Sequence, residues 1–108
     1  MSATLPPPIN RLVAAVNGGD SEAFLACFTE KGVIDDWGRR FTGHKAIRAW
    51  SDRESIGAKG RMTVTDVAEA RGEITVTADW KSNFYSGPSR YIFRLDGALI
   101  GEMRITGA

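Results

Sequence analysis

Residues 33–50, VIDDWGRRFTGHKAIRAW, place a short apolar run, a glycine-marked turn and an amphipathic segment in immediate succession. Residues 33–36 are predicted to form a strand that ends in two adjacent carboxylates. Residues 37 and 38 are the predicted turn, and residues 40–42 are its predicted partner strand. Residues 43–50 then predict a helix, because Ala46, Ile47 and Trp50 fall on one side of it.

Two further helices are predicted before this stretch. Apolar residues at positions 9, 12, 13 and 16 follow helical spacing, and Pro8 suits the first turn because proline has no amide hydrogen to lose. Gly18-Gly19 ends that helix, and Asp20 is the predicted N-cap of the next one. Phe24, Leu25 and Phe28 give the second helix an apolar face, and Gly32 is predicted to end the unit.

The C-terminal half of the chain predicts antiparallel strands. Apolar residues at positions 74, 76, 78 and 80 alternate with polar ones, and positions 91, 93 and 95 repeat that period of two. The Asp96-Gly97 pair predicts a tight hairpin. In the last strand, Leu99, Met103 and Ile105 are predicted on one face and Ile100, Glu102 and Arg104 on the other. Helices that precede a sheet in the chain predict an α+β domain whose curved, mainly antiparallel mixed sheet wraps around three helices as a cone.

Composition limits the classes of protein that fit. The 108 residues predict a single domain over residues 1–108, with residues 1–8 as a flexible or proline-stiffened lead. The net charge of +1, with Lys and Arg spread along the chain, argues against a nucleic-acid partner. No apolar run is long enough to cross a membrane and no signal peptide is read, so the cytoplasm is expected.

Metal and disulfide chemistry is also not expected. Cys27 is the only cysteine and His44 the only histidine, so neither a cysteine-rich zinc site nor a histidine-based ligand set is available. Cys27 lies among phenylalanines and leucine and is predicted to be a buried thiol. His44, at the start of the third helix, is predicted to be near the surface, with a proton-shuttle role as the alternative.

The order of these segments resembles the nuclear-transport-factor-2-like superfamily, and in particular its SnoaL-like polyketide cyclases and ketosteroid isomerases. INRLVAAVNGGDSEAFLACF, VIDD, FTGHKAIRAW and the Asp96-Gly97 hairpin carry the resemblance, which extends from about Ile9 to Ile105. These sequence segments are more specific for the fold than for the activity. The resemblance implies a curved sheet, a conical pocket and often a homodimer built on the sheet.

In the isomerase branch an aspartate on the first strand moves a proton beside a ketone, and the resemblance places that residue at Asp36. Burial beside Trp37 would raise a carboxyl pKa toward values useful for proton transfer. The alternative is an aspartate that caps the turn or pairs with Arg39 or Arg40. Asp35 is predicted to point to the opposite face as a solvated or ion-paired carboxylate.

The same branch stabilises the enolate with two hydrogen-bond donors. Here the position on the first helix is Leu12, which cannot donate and so argues against a true steroid isomerase. The position on the later strand falls near Tyr91, which could donate to a carbonyl oxygen or could instead be a core tyrosine. Large apolar side chains are predicted to line the pocket beside these residues: Trp37, Trp50, Trp80, Phe28, Met62, Phe93 and Met103.

The preferred hypothesis is a cofactor-free isomerase or cyclase that acts on a small apolar carbonyl compound, with Asp36 as base. The first alternative is a non-catalytic module that binds a ligand or a partner protein in the same cone. An epoxide hydrolase is the weaker third hypothesis, because the sequence offers no clear Asp-Arg-Asp set on strands facing the cone.

Overall fold

Three helices pack on one face of a six-stranded mixed sheet in the computed structural model, which describes residues 5–107. The helices are α1 (Pro7–Gly18), α2 (Ser21–Ala26) and α3 (His44–Glu54), and a single 3₁₀ turn covers Ile56–Ala58. The strands are β1 (Phe28–Asp36), β2 (Arg39–Thr42), β3 (Arg61–Ala70), β4 (Glu73–Lys81), β5 (Ser86–Asp96) and β6 (Leu99–Gly107). The predicted α+β order is confirmed.

The N-terminal helices begin and end at residues that the sequence marks. Proline occupies the first turn of α1, and Gly19 takes the left-handed conformation that ends this helix, with a φ of 67°. The side chain of Asp20 accepts a hydrogen bond from the Ala23 amide at 3.1 Å and so caps α2. Residues 1–4 of the predicted N-terminal lead lie outside the described residues. Within residues 5–107, no helix has the length and apolarity needed to cross a membrane.

The sheet has the strand order β2-β1-β6-β5-β4-β3, in which β1 and β6 run parallel and the other neighbours run antiparallel. Its register places Asp36 beside Ile105, Ile105 beside Tyr91, and Tyr91 beside Val76. These four residues therefore form one row across four strands, on the face that the helices cover. Asn17 ties α1 to this sheet, because its side-chain amide donates to the Met62 carbonyl and accepts from the Met62 amide at 2.9 and 2.7 Å.

The prediction for residues 27–32 is wrong. The second helix ends at Ala26, and Phe28 begins β1 instead of completing a helical face. The Cys27 carbonyl accepts a hydrogen bond from the Ile100 amide at 2.8 Å, so the chain joins the sheet immediately after the helix. The pairing of β1 with β6 is irregular between Phe28 and Val33, and this irregularity obscures the alternation of a strand.

The predicted faces of the last strand are also partly wrong. Ile100, not Leu99, is fully buried with Met103 and Ile105. The register between β5 and β6 shifts between Arg94 and Leu95, so that Arg94 pairs with Glu102 while Leu95 pairs with Ile100. Gly101 is the extra residue of this β-bulge. Because of this extra residue, Leu99 and Ile100, which precede it, face the opposite way from the one that strict alternation predicts.

Candidate functional site

A cavity of about 270 Å³ opens between the helices and the sheet, at the end of β1. Its buried walls are mainly apolar and come from α1, α2, α3 and the sheet. Its mouth is formed by the β1–β2 turn and by the segment that joins β4 to β5. A volume of this size is close to the lower end of the range for ligand-binding pockets, so it suits a small molecule.

Asp36 is the carboxylate that reaches this cavity. It is the last residue of β1 and is only 9% exposed. Its Oδ2 atom accepts a hydrogen bond from Arg39 Nη2 at 2.5 Å and from Trp50 Nε1 at 3.1 Å. Within residues 5–107 no hydrogen bond to Oδ1 is found. One oxygen of the carboxylate is therefore fixed in place, and the other has no protein partner among those residues.

Arg39 connects two carboxylates at the mouth of the cavity. Besides Asp36, it binds Glu54, the last residue of α3, with Nη2–Oε1 and Nη1–Oε2 distances of 2.6 and 3.1 Å. These hydrogen bonds, first to Glu54 and then to Asp36, raise the pKa of the Arg39 guanidinium. The side chain of Arg39 remains about half exposed, so the network lies at the boundary with solvent.

This acid–arginine–acid cluster was not predicted from the sequence, because one of its carboxylates lies on a helix and not on a strand. Two signals were present. Residues 36 and 39 flank a two-residue turn, which makes them cross-strand partners. Glu54 follows Trp50 by four residues and therefore lies on the same side of α3. The sequence does not indicate that α3 packs against β2, and this packing is what brings Glu54 to Arg39.

Asp35 lies on the opposite face of the sheet, as the alternation of a strand predicts. Its Oδ1 atom accepts the Gly38 amide at 2.8 Å, and its Oδ2 atom lies 3.4 Å from Arg40 Nη1. The prediction of an ion-paired carboxylate is confirmed for Asp35. The predicted alternative for Asp36, pairing with Arg39, is also present, although Asp36 is at the same time part of the cavity wall.

Tyr91 reaches the cavity from β5, in the same row of the sheet as Asp36. One strand separates them, so their Cα atoms are about 10 Å apart at the usual strand spacing. Burial raises the pKa of Tyr91 well above its ordinary value, Ser89 lowers it to a lesser extent, and the nearby charge of Asp36 raises it further. Tyr91 therefore keeps its proton and is a hydrogen-bond donor in the cavity at all physiological pH values.

The raised pKa of Tyr91 predicts a loss of stability at alkaline pH. The tyrosine of the unfolded chain releases this proton at about pH 10, whereas the folded protein still retains it at that pH. Its contribution to the free energy of unfolding is thus complete below about pH 10 and decreases as the pH rises toward the folded pKa, by up to ~1.4 kcal/mol per pH unit. Urea unfolding of the wild type and of Tyr91→Phe between pH 8 and 11 measures this. The variant should lose less stability than the wild type over that range, and parallel curves would contradict the prediction.

Five of the seven predicted lining residues are in the cavity wall: Trp37, Trp50, Trp80, Met62 and Met103. Phe28 and Phe93 are not in the wall. Both are essentially inaccessible and belong to the core beneath it. Phe28 is at the start of β1, far from the end that carries Asp36. Phe93 follows Tyr91 by two residues in β5 and therefore lies on the same face of the sheet, further from the mouth of the cavity.

Other wall residues were not predicted. Phe84 and Tyr85 lie at the mouth, in the segment between β4 and β5, where no periodicity marks which side chains face inward. Leu12 lines the cavity from α1, so the position where the resemblance implies a donor is indeed a wall position occupied by an apolar side chain.

His44 lies outside the cavity, half-buried, with Nε2 3.1 Å from the Phe28 carbonyl. Among residues 5–107, no cluster of His, Cys, Asp or Glu could hold a metal ion.

Comparison with a protein-family model finds one match. Residues 9–103 match the model of the SnoaL-like domain, which is most of the chain. No curated protein sequence matches significantly.

Solved structures with the same fold come from several bacteria. A candidate polyketide cyclase from Sinorhizobium meliloti superposes with a TM-score of 0.84 at 21% identity, covering 94% of this chain and 95% of that one. The Δ5-3-ketosteroid isomerase of a Mycobacterium species has a TM-score of 0.81 at 19% identity, with 94% and 91% covered. A Mycobacterium tuberculosis protein in complex with estradiol-17β-hemisuccinate has 0.79 at 20% identity, with 94% and 92% covered. At these identities the similarity establishes the fold, which is the predicted one.

Proposed function

This chain belongs to the SnoaL-like domain family, and from that membership and its cavity we propose that it catalyses proton transfer on a small, mainly apolar carbonyl compound without a cofactor. Asp36 is the base and Tyr91 the hydrogen-bond donor. The observation that carries the proposal is their position: both side chains enter one apolar cavity from the same row of the sheet. A substrate placed between them would have a base at its acidic carbon and a donor at its oxygen.

The reaction requires only these two groups. The Oδ1 atom of Asp36 takes a proton from the carbon next to the carbonyl group. The electron pair of that C–H bond forms a double bond to the carbonyl carbon, and the π pair of the C=O bond moves onto the oxygen. Tyr91 donates a hydrogen bond to the oxygen as its negative charge develops. In a β,γ-unsaturated ketone, the Asp36 carboxylic acid then returns the proton to the γ-carbon and the C=O bond re-forms, so that the double bond moves into conjugation with the carbonyl group. In a dicarbonyl compound, the enolate carbon instead attacks the second carbonyl carbon, whose oxygen takes the proton from the Asp36 carboxylic acid as the ring closes.

The surrounding groups support this assignment. Trp50 and Arg39 both donate to Oδ2, so the carboxylate is held with its second oxygen available. A ligand that fills the cavity would displace water from the mainly apolar wall around the reacting carbon, which would strengthen the interaction of Tyr91 with an anionic oxygen. A solved neighbour in complex with a steroid ester supports an apolar ligand of related chemistry for this fold.

Deuterium exchange tests the proposal without knowledge of the natural substrate. A panel of cyclic ketones, β,γ-unsaturated ketones and diketones is incubated in D₂O with the protein, and loss of the proton next to the carbonyl is followed by NMR. General-base catalysis should accelerate exchange of at least one bound ketone by about 10²–10⁴-fold over buffer. Corresponding alcohols, which lack an acidic C–H, serve as controls for binding alone.

A non-catalytic binding module is the second candidate, and the ion pair between Arg39 and Asp36 favours it. An aspartate whose role is to hold Arg39 and α3 in place needs no available oxygen. Ketones that perturb the NMR signals of Tyr91 and Trp50, yet exchange no faster than in buffer, would establish this candidate and exclude the catalytic one.

A further inference from the structure

Ser89 presents a buried hydroxyl group to the cavity. Its side chain is part of the cavity wall, and the residue is only 7% exposed. Burial of a hydroxyl group costs free energy unless the group has a hydrogen-bond partner. Within residues 5–107, the side-chain polar atom that is sealed from solvent without such a partner is Ser51 Oγ, which lies on α3 outside the cavity wall. Ser89 Oγ is not sealed in this way, because it borders the cavity.

The strand brings this hydroxyl beside that of Tyr91. Ser89 precedes Tyr91 by two residues in β5, so both side chains are on the face of the sheet that borders the cavity. Burial raises the pKa of Tyr91, and hydrogen bonding by the Ser89 side chain acts against this rise. Because the two residues are about 7 Å apart along the strand and serine is short, the Tyr91 ring must lean toward Ser89, as side chains in strands commonly do. The two hydroxyl groups therefore lie close together.

A recess shielded on one side by Trp37 contains these hydroxyl groups. In the register of the sheet, Ser89 has Ala78 of β4 on one side and Gly107 of β6 on the other. The Trp37 ring fills the space that a side chain at Gly107 would occupy, since a Cβ atom added there would lie 3.0 Å from the ring. An oxygen atom of a ligand that enters this recess displaces water and lies beside an aromatic ring, which strengthens hydrogen bonds to that oxygen.

The carbonyl oxygen of a bound ketone has two lone pairs and can accept two hydrogen bonds, of which Tyr91 supplies one. We propose that Ser89 is the second donor, so that the ligand's oxygen is held between the hydroxyl groups of Ser89 and Tyr91. The Ser89 hydroxyl turns about its Cβ–Oγ bond to donate to the ligand instead of to Tyr91. The inference rests on the proposed function for the identity of that oxygen, which carries the negative charge of the enolate. Two donors aimed at one developing charge stabilise it more than a single donor does.

A single-ring ketone is the appropriate probe for this site. A cavity of roughly 150 Å³ holds one benzene molecule with its six carbon atoms, so the 270 Å³ here correspond to about 11 non-hydrogen atoms. The ketone 4-tert-butylcyclohexanone has this size. Its aromatic counterpart is para-tert-butylphenol, whose hydroxyl group imitates an enol. Both compounds are uncharged, so their binding measures hydrogen bonding and shape without a contribution from net charge.

The carbonyl carbon of this ketone, labelled with ¹³C, reports hydrogen bonds to its oxygen in the NMR spectrum at equilibrium. The signal of the ketone bound to Ser89→Ala should lie upfield of the signal of the ketone bound to the wild type, because the oxygen has lost one donor. Ser89→Cys keeps a side chain of similar size with a weaker donor and should give an intermediate position. Ser51→Ala is the matched control, since it makes the same change at a buried serine outside the cavity wall. Its bound signal should coincide with that of the wild type.

Rate and affinity should respond to Ser89→Ala to different extents. Deuterium exchange of the ketone should slow by about 10–10²-fold, the size expected of a hydrogen bond to a charged group. Affinity for para-tert-butylphenol, measured by calorimetry, should fall by only about 2–10-fold, the size expected of a hydrogen bond between neutral groups. The rate loses more because the negative charge on the oxygen develops only during the reaction. Ser51→Ala should leave both quantities at their wild-type values.

The same substitution in the Tyr91→Phe background separates a direct contact from an indirect one. A direct donor moves the bound carbonyl signal in both backgrounds. A change that occurs only when Tyr91 is present would overturn the proposal, because Ser89 would then act through Tyr91 alone. An unchanged bound signal in Ser89→Ala, or a wild type that does not bind the ketone, would overturn it as well. If the bound signal depends on Ser89 but exchange is no faster than in buffer, the proton-transfer proposal fails and Ser89 remains a donor to the ligand.

Discussion

Asp36→Asn should reduce the rate of exchange or isomerisation by about 10²–10⁴-fold, the usual contribution of a positioned general base. Asparagine has nearly the same shape, and its carbonyl oxygen can still accept the hydrogen bond that Trp50 donates at 3.1 Å. What it cannot do is take a proton from carbon. Ligand affinity should therefore change little while turnover is lost. Calorimetry with para-tert-butylphenol and NMR exchange of the best ketone measure the two quantities on the same sample.

Asp35→Asn is the matched control for that experiment. The two aspartates are adjacent at the end of β1, but Asp35 faces away from the cavity and holds the turn through Gly38. The same chemical change at position 35 should leave turnover within about twofold of the wild type, because asparagine keeps the oxygen that accepts the Gly38 amide and the side chain faces away from the cavity. Equal turnover by Asp36→Asn and the wild type would exclude Asp36 as the base.

Much of this fold follows from periodicity and turn residues. The alternation in β4 and the first part of β5 is regular, so the burial of Val76, Ala78 and Tyr91 could be predicted from the sequence. The turn at Trp37-Gly38 and the cap at Asp20 were predictable for the same reason, because short-range chemistry determines them. The prediction that Asp35 and Asp36 face opposite ways needs nothing beyond the pleat of a strand.

The errors fall where local pattern and tertiary contact disagree. Gly101 adds a residue to β6, and a single added residue reverses the facing of Leu99 and Ile100. From the sequence, Phe28 could equally be part of the apolar face of a helix or the first residue of a strand. Its pairing with Ile100 in the sheet decides between these two structures. Glycine at position 101 was a usable signal for a bulge, whereas the sequence alone contained none for the choice at Phe28.

The site was less predictable than the fold, because its polar contacts join distant segments. Asp36 and Tyr91 are 55 positions apart in the sequence. Only the resemblance to a family, and not a local motif, predicted that both belong to one site. The pair formed by Arg39 and Glu54 depends on how α3 docks against β2, which no local rule gives. Phe84 and Tyr85 lie in a connecting segment, where side-chain direction follows no period.

Tyr91→Phe should lower the rate by about 10²-fold or more, because removal of one donor to a developing oxyanion usually costs that much. The ring that fills the cavity wall is kept, so the fold and the apolar contacts of the ligand should be preserved. The loss should appear in kcat, since the hydrogen bond strengthens as charge develops on the oxygen. Steady-state kinetics and exchange rates on the same ketone provide the measurement.

Tyr85→Phe is the control for Tyr91→Phe, because Tyr85 belongs to the same cavity but lies exposed at its mouth. It should retain nearly full kcat. The double variant Asp36→Asn/Tyr91→Phe adds a stricter test. If the two residues act in one step, it should be scarcely slower than Asp36→Asn alone, because a donor to the oxyanion has no effect when no enolate forms. Fully multiplicative losses would mean that Tyr91 acts outside the proton-transfer step, as a wall residue whose hydroxyl affects packing only.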